Sequence, residues 1–304
     1  MILITRIFLY LNVDIILQMK TDLITRFVIN NSSIRGNIIR IKNSLAELKK
    51  SLAIPEQIAS SFNEIVTVCP MLAATLKFEG GLILQIQGKK SLKLIIAESD
   101  NDFKIRGTIK LTENTKETFQ DLIQDAIVAL TVIHKDQKTP YQGIIEVGSG
   151  EIKAMIEHYL TQSMQIKSKV FFHQTKTESF GVLFQELPHE NEEQKLITES
   201  LWNDIDLIKS DTLSDGPEQF LKNIFSQNDV QIFEEHPVEH ECSCNQEKIY
   251  KTISLIQENE IYSSIKNDCI EMVCEYCQKK YTVTKEEIDI IFNKTQRLNR
   301  FKNW

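Results

Sequence analysis

The stretch EHECSCNQEK, residues 239–248, read together with VCEYCQKKYTV, residues 273–283, decides how the C-terminal part of this chain folds. It carries Cys242-x-Cys244 and Cys274-x-x-Cys277, two close thiol pairs separated by 29 residues. A structural zinc site needs four soft ligands in a tetrahedron, gathered from two chain segments, and two cysteine pairs meet that need. We expect one Zn²⁺ per chain in the reduced protein, held by Cys242, Cys244, Cys274 and Cys277. The second pair has a common zinc-ribbon form. The first does not, because one intervening residue leaves no room for the usual knuckle of backbone N–H groups on the sulfur.

A disulfide between Cys242 and Cys244 would close a small, strained ring, and strained disulfides are the labile, regulatory ones. Both pairs can close locally, and each disulfide removes two metal ligands. The segment 238–304 is too short to be held by an apolar core alone, whereas structural zinc contributes about 10–16 kcal/mol of folding free energy to small domains. Loss of the metal should therefore unfold it. His236 and His240 are alternative ligands that four cysteines make unnecessary. Cys269 is the spare thiol near the site, and Cys69 lies on the apolar stripe of a helix, as a small buried hydrophobe would.

Upstream of the cysteines, residues 190–241 hold fourteen Asp/Glu against three Lys, a net −11 within a chain whose total is −7. Phosphate binding needs basic residues, so this region is no nucleic-acid surface. Ile197, Leu201, Ile205 and Ile208 recur at helical spacing, with Trp202 beside them and Leu196 at the start of the same apolar patch, before Asp215-Gly216-Pro217 breaks the pattern. Phe220, Leu221, Ile224 and Phe225 make a second short apolar face. An acidic pair of amphipathic helices between two domains is a linker able to dock.

Further back the pattern mixes strands with segregated helices. DLITRFVINNSSIRGNIIR (22–40) reads as a hairpin turning at Asn30–Ser33, and Pro55 opens a helix running to Lys77. LILQIQG, LKLIIAE and FKIRGTIKL follow as a meander, TKETFQDLIQDAIVALTVIHKD is ambiguous between helix and strand, and EIKAMIEHYLTQSM reads as a helix. KVFFHQ and SFGVLFQEL are strands that close the region at Pro188. The fold class expected is α+β, with residues 19–189 as the N-terminal domain, 190–237 as an acidic, metastable helical linker, and 238–304 as a small zinc-binding domain. Residues 1–18 read as a doubtful N-terminal extension, with Met19 as an alternative start; their apolar run is broken by Arg6 and Asp14 and is too short for a membrane helix.

The CxC, the spacer near thirty residues and CEYCQKKYTVTKEEI resemble the zinc domain of the heat shock protein 33 family of redox-regulated bacterial chaperones. LILQIQG, YQGIIEV, EHYLTQSMQI and GVLFQELP resemble its N-terminal domain. The resemblance implies an ATP-independent holdase, silent when reduced and zinc-bound. Oxidation to two disulfides, Cys242–Cys244 and Cys274–Cys277, would release the metal, unfold switch and linker, and expose apolar surface for unfolding client proteins. It also implies a homodimer when oxidised, a cytoplasmic location and no enzymatic activity. Asn245 stands where the family usually has Ser and His240 where it usually has an aromatic; Cys269 could compete in disulfide formation.

Two other classes compete. A zinc-ribbon nucleic-acid binder would use KTQRLNRFKNW (294–304), with four basic residues and two aromatics. A thiol-disulfide oxidoreductase would need its CxxC at a helix N-terminus on a βαβ scaffold, and the strand-like YTVT after Cys277 is the wrong context. No nucleotide-binding Gly-rich loop and no membrane span is present in the pattern.

Overall fold

A computed structural model describes residues 22–112, 115–137, 139–215 and 217–301. The extension at 1–18, with Met19, lies outside them, and the side chains of the basic tail at 294–304 are likewise outside the description. The chain divides into two compact units, Met1–Glu241 and Cys242–Trp304.

In the first unit, β1 (Leu23–Ile29) and β2 (Ile34–Ile41) form the expected hairpin, turning with Asn31 at φ 59°. Asn tolerates that left-handed conformation better than most side chains. β9 (Ser179–Glu186) pairs with β2, β8 (Ser168–Gln174) with β9, and β10 (Val230–Pro237) with β1. The sheet order is β10-β1-β2-β9-β8, with every pair antiparallel. A second sheet is built on the meander of β3 (Gly80–Gln87), β4 (Leu92–Asp100) and β5 (Lys104–Leu111). β6 (Ile127–His134) and β7 (Tyr141–Ile145) extend it beyond β3, and the short β11 (Glu239–His240) runs parallel to β5 at the other edge.

The ambiguous segment before β6 contains both element types. Thr118 and Asp121 make a reciprocal capping box that starts a one-turn helix, Phe119–Ile123, and the β-branched run IVALTVIH then forms β6. A helix that sequence periodicity did not single out, α1 (Asn43–Lys50), follows β2. The long helix α2 (Glu56–Ala73) packs in one core with Ile39 and Leu183 of the first sheet and Leu84 and Ile95 of the second. Its close approach to β9 depends on Gly181, where an added Cβ would stand 2.5 Å from the Met71 sulfur. The one-turn helix is α3, and α4 (Ile152–Gln162) packs against β8.

The first sheet is covered on both faces. All residues of β9 except the last are buried, so it reads SFGVLFQE rather than as an alternation. Its second face, with Phe27, Ile38, Val182 and Phe184, lies under α5 (Glu192–Asp206), a 3₁₀ turn (Ser210–Asp215) and α6 (Pro217–Ile224). Residues 230–237 depart from the helical linker expected there. They form β10, because VQIF is β-branched and aromatic and β1 offers an otherwise unpaired edge.

Asn191 caps α5 by accepting from the Gln194 N–H, and Thr198 anchors the helix to the hairpin. The buried Thr198 hydroxyl donates to the Gln194 carbonyl and accepts from the Ser33 N–H at 2.9 Å. Thr198→Val keeps the shape but leaves that buried N–H without a partner, a loss of about 1–3 kcal/mol. Urea unfolding of the first unit should register it; an unchanged midpoint would mean that the anchor contributes nothing.

The second unit holds α7 (Gln246–Leu255), α8 (Glu258–Ser263), the hairpin of β12 (Cys269–Val273) and β13 (Lys280–Thr284), and α9 (Lys285–Phe301). Its core is small: Ile249, Ile253, Ile261, Ile270, Tyr281, Val283, Ile288 and Phe292 are the buried apolar residues among those described.

Candidate metal centre

Cys242 and Cys244 precede α7, and Cys274 and Cys277 sit in the turn between β12 and β13. The four sulfurs lie within 4.8 Å of one another and could hold a metal ion. Between the pairs, Cys242 approaches Cys274 to 3.6 Å and Cys244 approaches Cys277 to 3.4 Å, and none of the four is in a disulfide. Tetrahedral thiolates about 2.3 Å from a zinc ion stand about 3.8 Å apart, so the donor set and its spacing fit such an ion.

The local chain prepares the sulfurs for negative charge. Asn245 is the N-cap of α7, accepting from the Lys248 N–H at 2.9 Å, so this departure from the family's Ser keeps the capping chemistry. Cys244 therefore stands just ahead of a helix N-terminus, where the helix dipole favours a thiolate. The Tyr281 hydroxyl, carried on β13, donates to the Cys244 sulfur at 3.0 Å. Burial alone would push the Cys244 thiol up, but the Tyr281 hydroxyl and the neighbouring thiols outweigh it and bring it down to about 7. Burial pushes the Cys242 thiol the other way, well above its ordinary value.

One expectation about the backbone needs correction. The Cys244 N–H reaches the Cys242 sulfur, so even the one-residue spacing supplies a backbone donor, while the Lys279 N–H serves Cys277. The contact comes from the second cysteine itself instead of from a longer knuckle. Tyr281 was not singled out by the sequence, although its place four residues after Cys277, at an inward position of β13, is the signal that could have found it.

The remaining candidates fall elsewhere. Cys269 is half-buried at the start of β12, opposite Thr284, and is outside the four-sulfur group. Cys69 is fully buried in α2, its thiol donating to the Ala97 carbonyl at 3.3 Å, and burial raises its pKa strongly. His236 lies tilted against Phe103 with ring centres 5.6 Å apart and His240 lies in β11, both in the first unit and outside the sulfur group.

Of the linker residues, Leu201, Trp202, Ile205, Phe220, Leu221 and Phe225 are buried on the second face of the first sheet, with Ile197, Ile208 and Ile224 partly buried beside them. Leu196 does not join them: at 64% exposure it is on the outer side of α5. Phe184 lies at the centre of this cluster, with Phe27 edge-on at 5.5 Å and Phe225 at 5.8 Å, and the Lys167 ammonium is 4.4 Å from the Trp202 ring centre.

The model of the family described as Hsp33 protein matches residues 22–284. The chain belongs to the Hsp33 protein family. Among curated relatives of this Hsp33 chain, a 33 kDa chaperonin of Methylobacillus flagellatus is 28% identical over 280 residues, covering 90% of this chain and 94% of the relative. A 33 kDa chaperonin of Vibrio vulnificus is 26% identical over 286 residues, covering 90% and 96%. The crystal structure of the 33 kDa chaperonin (heat shock protein 33 homolog) of Thermotoga maritima superposes with a TM-score of 0.74 at 19% identity, covering 90% of this chain and 99% of that one. That superposition supports the α+β fold. Among the described residues no helix is long and apolar enough to cross a membrane.

Proposed function

We propose that this Hsp33 family member is a redox-switched, ATP-independent holdase of the cytoplasm, protecting unfolding proteins during oxidative stress. The observation that carries the reading is the group of four sulfurs within 4.8 Å, set in a unit whose own core is small. Cys242, Cys244, Cys274 and Cys277 would hold one Zn²⁺ per chain. When bound, the ion supplies a fourfold cross-link between the start of α7 and the β12–β13 turn.

The chain's own groups then perform the switch. The zinc-holding cysteines would already be thiolates, so a peroxide takes two electrons from each pair: one S–S bond forms, the peroxide O–O bond breaks, and two protons from solvent complete two waters. The Tyr281 hydroxyl donates to the Cys244 sulfur and the α7 N-terminus lies just beyond it, so both would stabilise negative charge there. Each disulfide withdraws two ligands, and residues 242–304 lose the cross-link. The linker runs directly into Cys242, so disorder that begins there is passed along the chain to β11 and β10. Release of α5 and α6 would expose Phe27, Ile38, Phe184 and the inner faces of the helices. Apolar burial is non-directional and needs no sequence code, and the net −11 of residues 190–241 keeps the complex dissolved. A homodimer formed on oxidation would present two such faces and gain avidity.

The test is light scattering from a heat-unfolding client mixed with reduced, peroxide-oxidised, and oxidised-then-reduced protein, with released zinc followed by a dye. We expect suppression by the oxidised form alone, one equivalent of zinc released, and peptide mapping that recovers Cys242–Cys244 and Cys274–Cys277. Equal suppression by all three forms would make the cysteines purely structural. Bridges to Cys269, or between the pairs, would replace the assigned connectivity.

A further inference from the structure

An apolar cavity of about 270 Å³ lies in the first unit, lined by Leu72, Leu76 and Leu82, by Leu130 of β6 and by Leu160 of α4. It is built wholly from residues 72–164. A dry cavity of about 150 Å³ is enough to hold benzene, so this one has room for roughly ten non-hydrogen atoms.

Five polar side chains also line it, Thr75, His134, Gln137, Tyr141 and Tyr159; the Thr75 hydroxyl is spent on the Leu72 carbonyl at 2.7 Å and Gln137 is exposed, which leaves three ring-borne groups. Tyr159 of α4 is 2% exposed, and its hydroxyl has no hydrogen-bond partner of normal geometry. The phenol reaches over Gly143 of β7, where an added Cβ would stand 2.5 Å from the hydroxyl, so the glycine leaves room for it. Burial, followed by the neighbouring Tyr141 phenol, pushes Tyr159 up to about 12, which keeps it protonated and able to donate. Tyr141, 55% exposed, adds a second phenol. The His134 ring stacks on Phe78 at 4.4 Å, and its Nδ1 accepts from the Asp136 N–H at 3.1 Å. With Nδ1 accepting, Nε2 is left as the donor side of the ring.

We propose that this cavity is a binding site for a small neutral carbonyl amphiphile, an aliphatic ketone or aldehyde of about ten non-hydrogen atoms, whose oxygen accepts from Tyr159. A buried donor whose one neighbour, the Tyr141 phenol, meets it in poor geometry is only weakly satisfied, and a carbonyl oxygen supplies a better acceptor without bringing a charge into an apolar site. A carboxylate of the same length would have to lose its hydration opposite neutral donors and no paired cation, so it should bind more weakly. The site is read in the reduced protein with no client present, so it stands or falls independently of the redox reading.

The probe is 2-octanone, titrated into the reduced full-length protein by calorimetry and by side-chain NMR, with octanoate as the charged comparison. We expect saturable one-to-one binding of the ketone, at least tenfold tighter than octanoate. Tyr159→Phe, which removes the hydroxyl and keeps the ring, should weaken the ketone about fivefold, the worth of one ordinary hydrogen bond. Leu76→Trp, placed at a half-buried lining position, should fill the cavity and abolish binding. Absence of saturable binding, full affinity retained by Leu76→Trp, or equal affinity of Tyr159→Phe and the unaltered protein would each overturn the proposal.

Discussion

Chelation of the reduced protein should unfold residues 242–304 while the strands within residues 23–186 remain folded. The magnitudes decide this outcome. The second unit has eight buried apolar residues among those described, and a single core of this size rarely supplies more than about 3–5 kcal/mol. Structural zinc contributes about 10–16 kcal/mol, so its removal exceeds the stability that the core can hold alone. Limited proteolysis should cut within 242–304 after chelation and not before, and amide signals from α7 and β13 should collapse. Cys242→Ser/Cys274→Ser should show the same state without chelator. A second unit that stays folded and protease-resistant without metal would mean that its apolar core is sufficient and that the cysteines are no switch.

The second large effect is expected at Trp202. Its indole is 2% exposed on the second face of the first sheet, with the Lys167 ammonium over the ring. Trp202→Ala removes that burial and leaves a cavity, a loss of about 3–5 kcal/mol from the docking of α5. A linker that is only marginally docked should then be released in the reduced, metal-bound protein. The reduced variant is expected to suppress client aggregation nearly as well as oxidised wild type, with its zinc retained. If the variant becomes protease-sensitive across 192–225 yet stays as silent as reduced wild type, the surface under the linker is not where clients bind.

Much of this arrangement was legible because local chemistry fixed it. Asn30–Ser33 turns its hairpin with short polar residues, and the two cysteine pairs announce their site by spacing alone. What escaped was non-local. β10 pairs with a strand about 200 residues earlier, and its EEHP half carries no strand pattern, so only the open edge of β1 explains it. The uniformly buried β9 was readable as a strand, but its lack of alternation also demands a cover on each side; that demand is what assigns α5 and α6 to the second face. The short helix at Phe119–Ile123 was marked by its T-x-x-D capping box, masked by the β-branched run behind it. Tyr281 became visible only once the register of β12 on β13 brought its hydroxyl to Cys244.

If the cysteine centre controls whether the linker covers the first sheet, oxidation must uncover α5 and α6. Hydrogen–deuterium exchange of residues 192–225 measures that cover directly, since α5 and α6 are protected only while docked. These residues should exchange slowly in the reduced protein, lose protection by at least two orders of magnitude after peroxide, and recover it on reduction with zinc. Equal protection in the reduced and oxidised proteins, with the disulfides formed and the zinc released, would contradict that control.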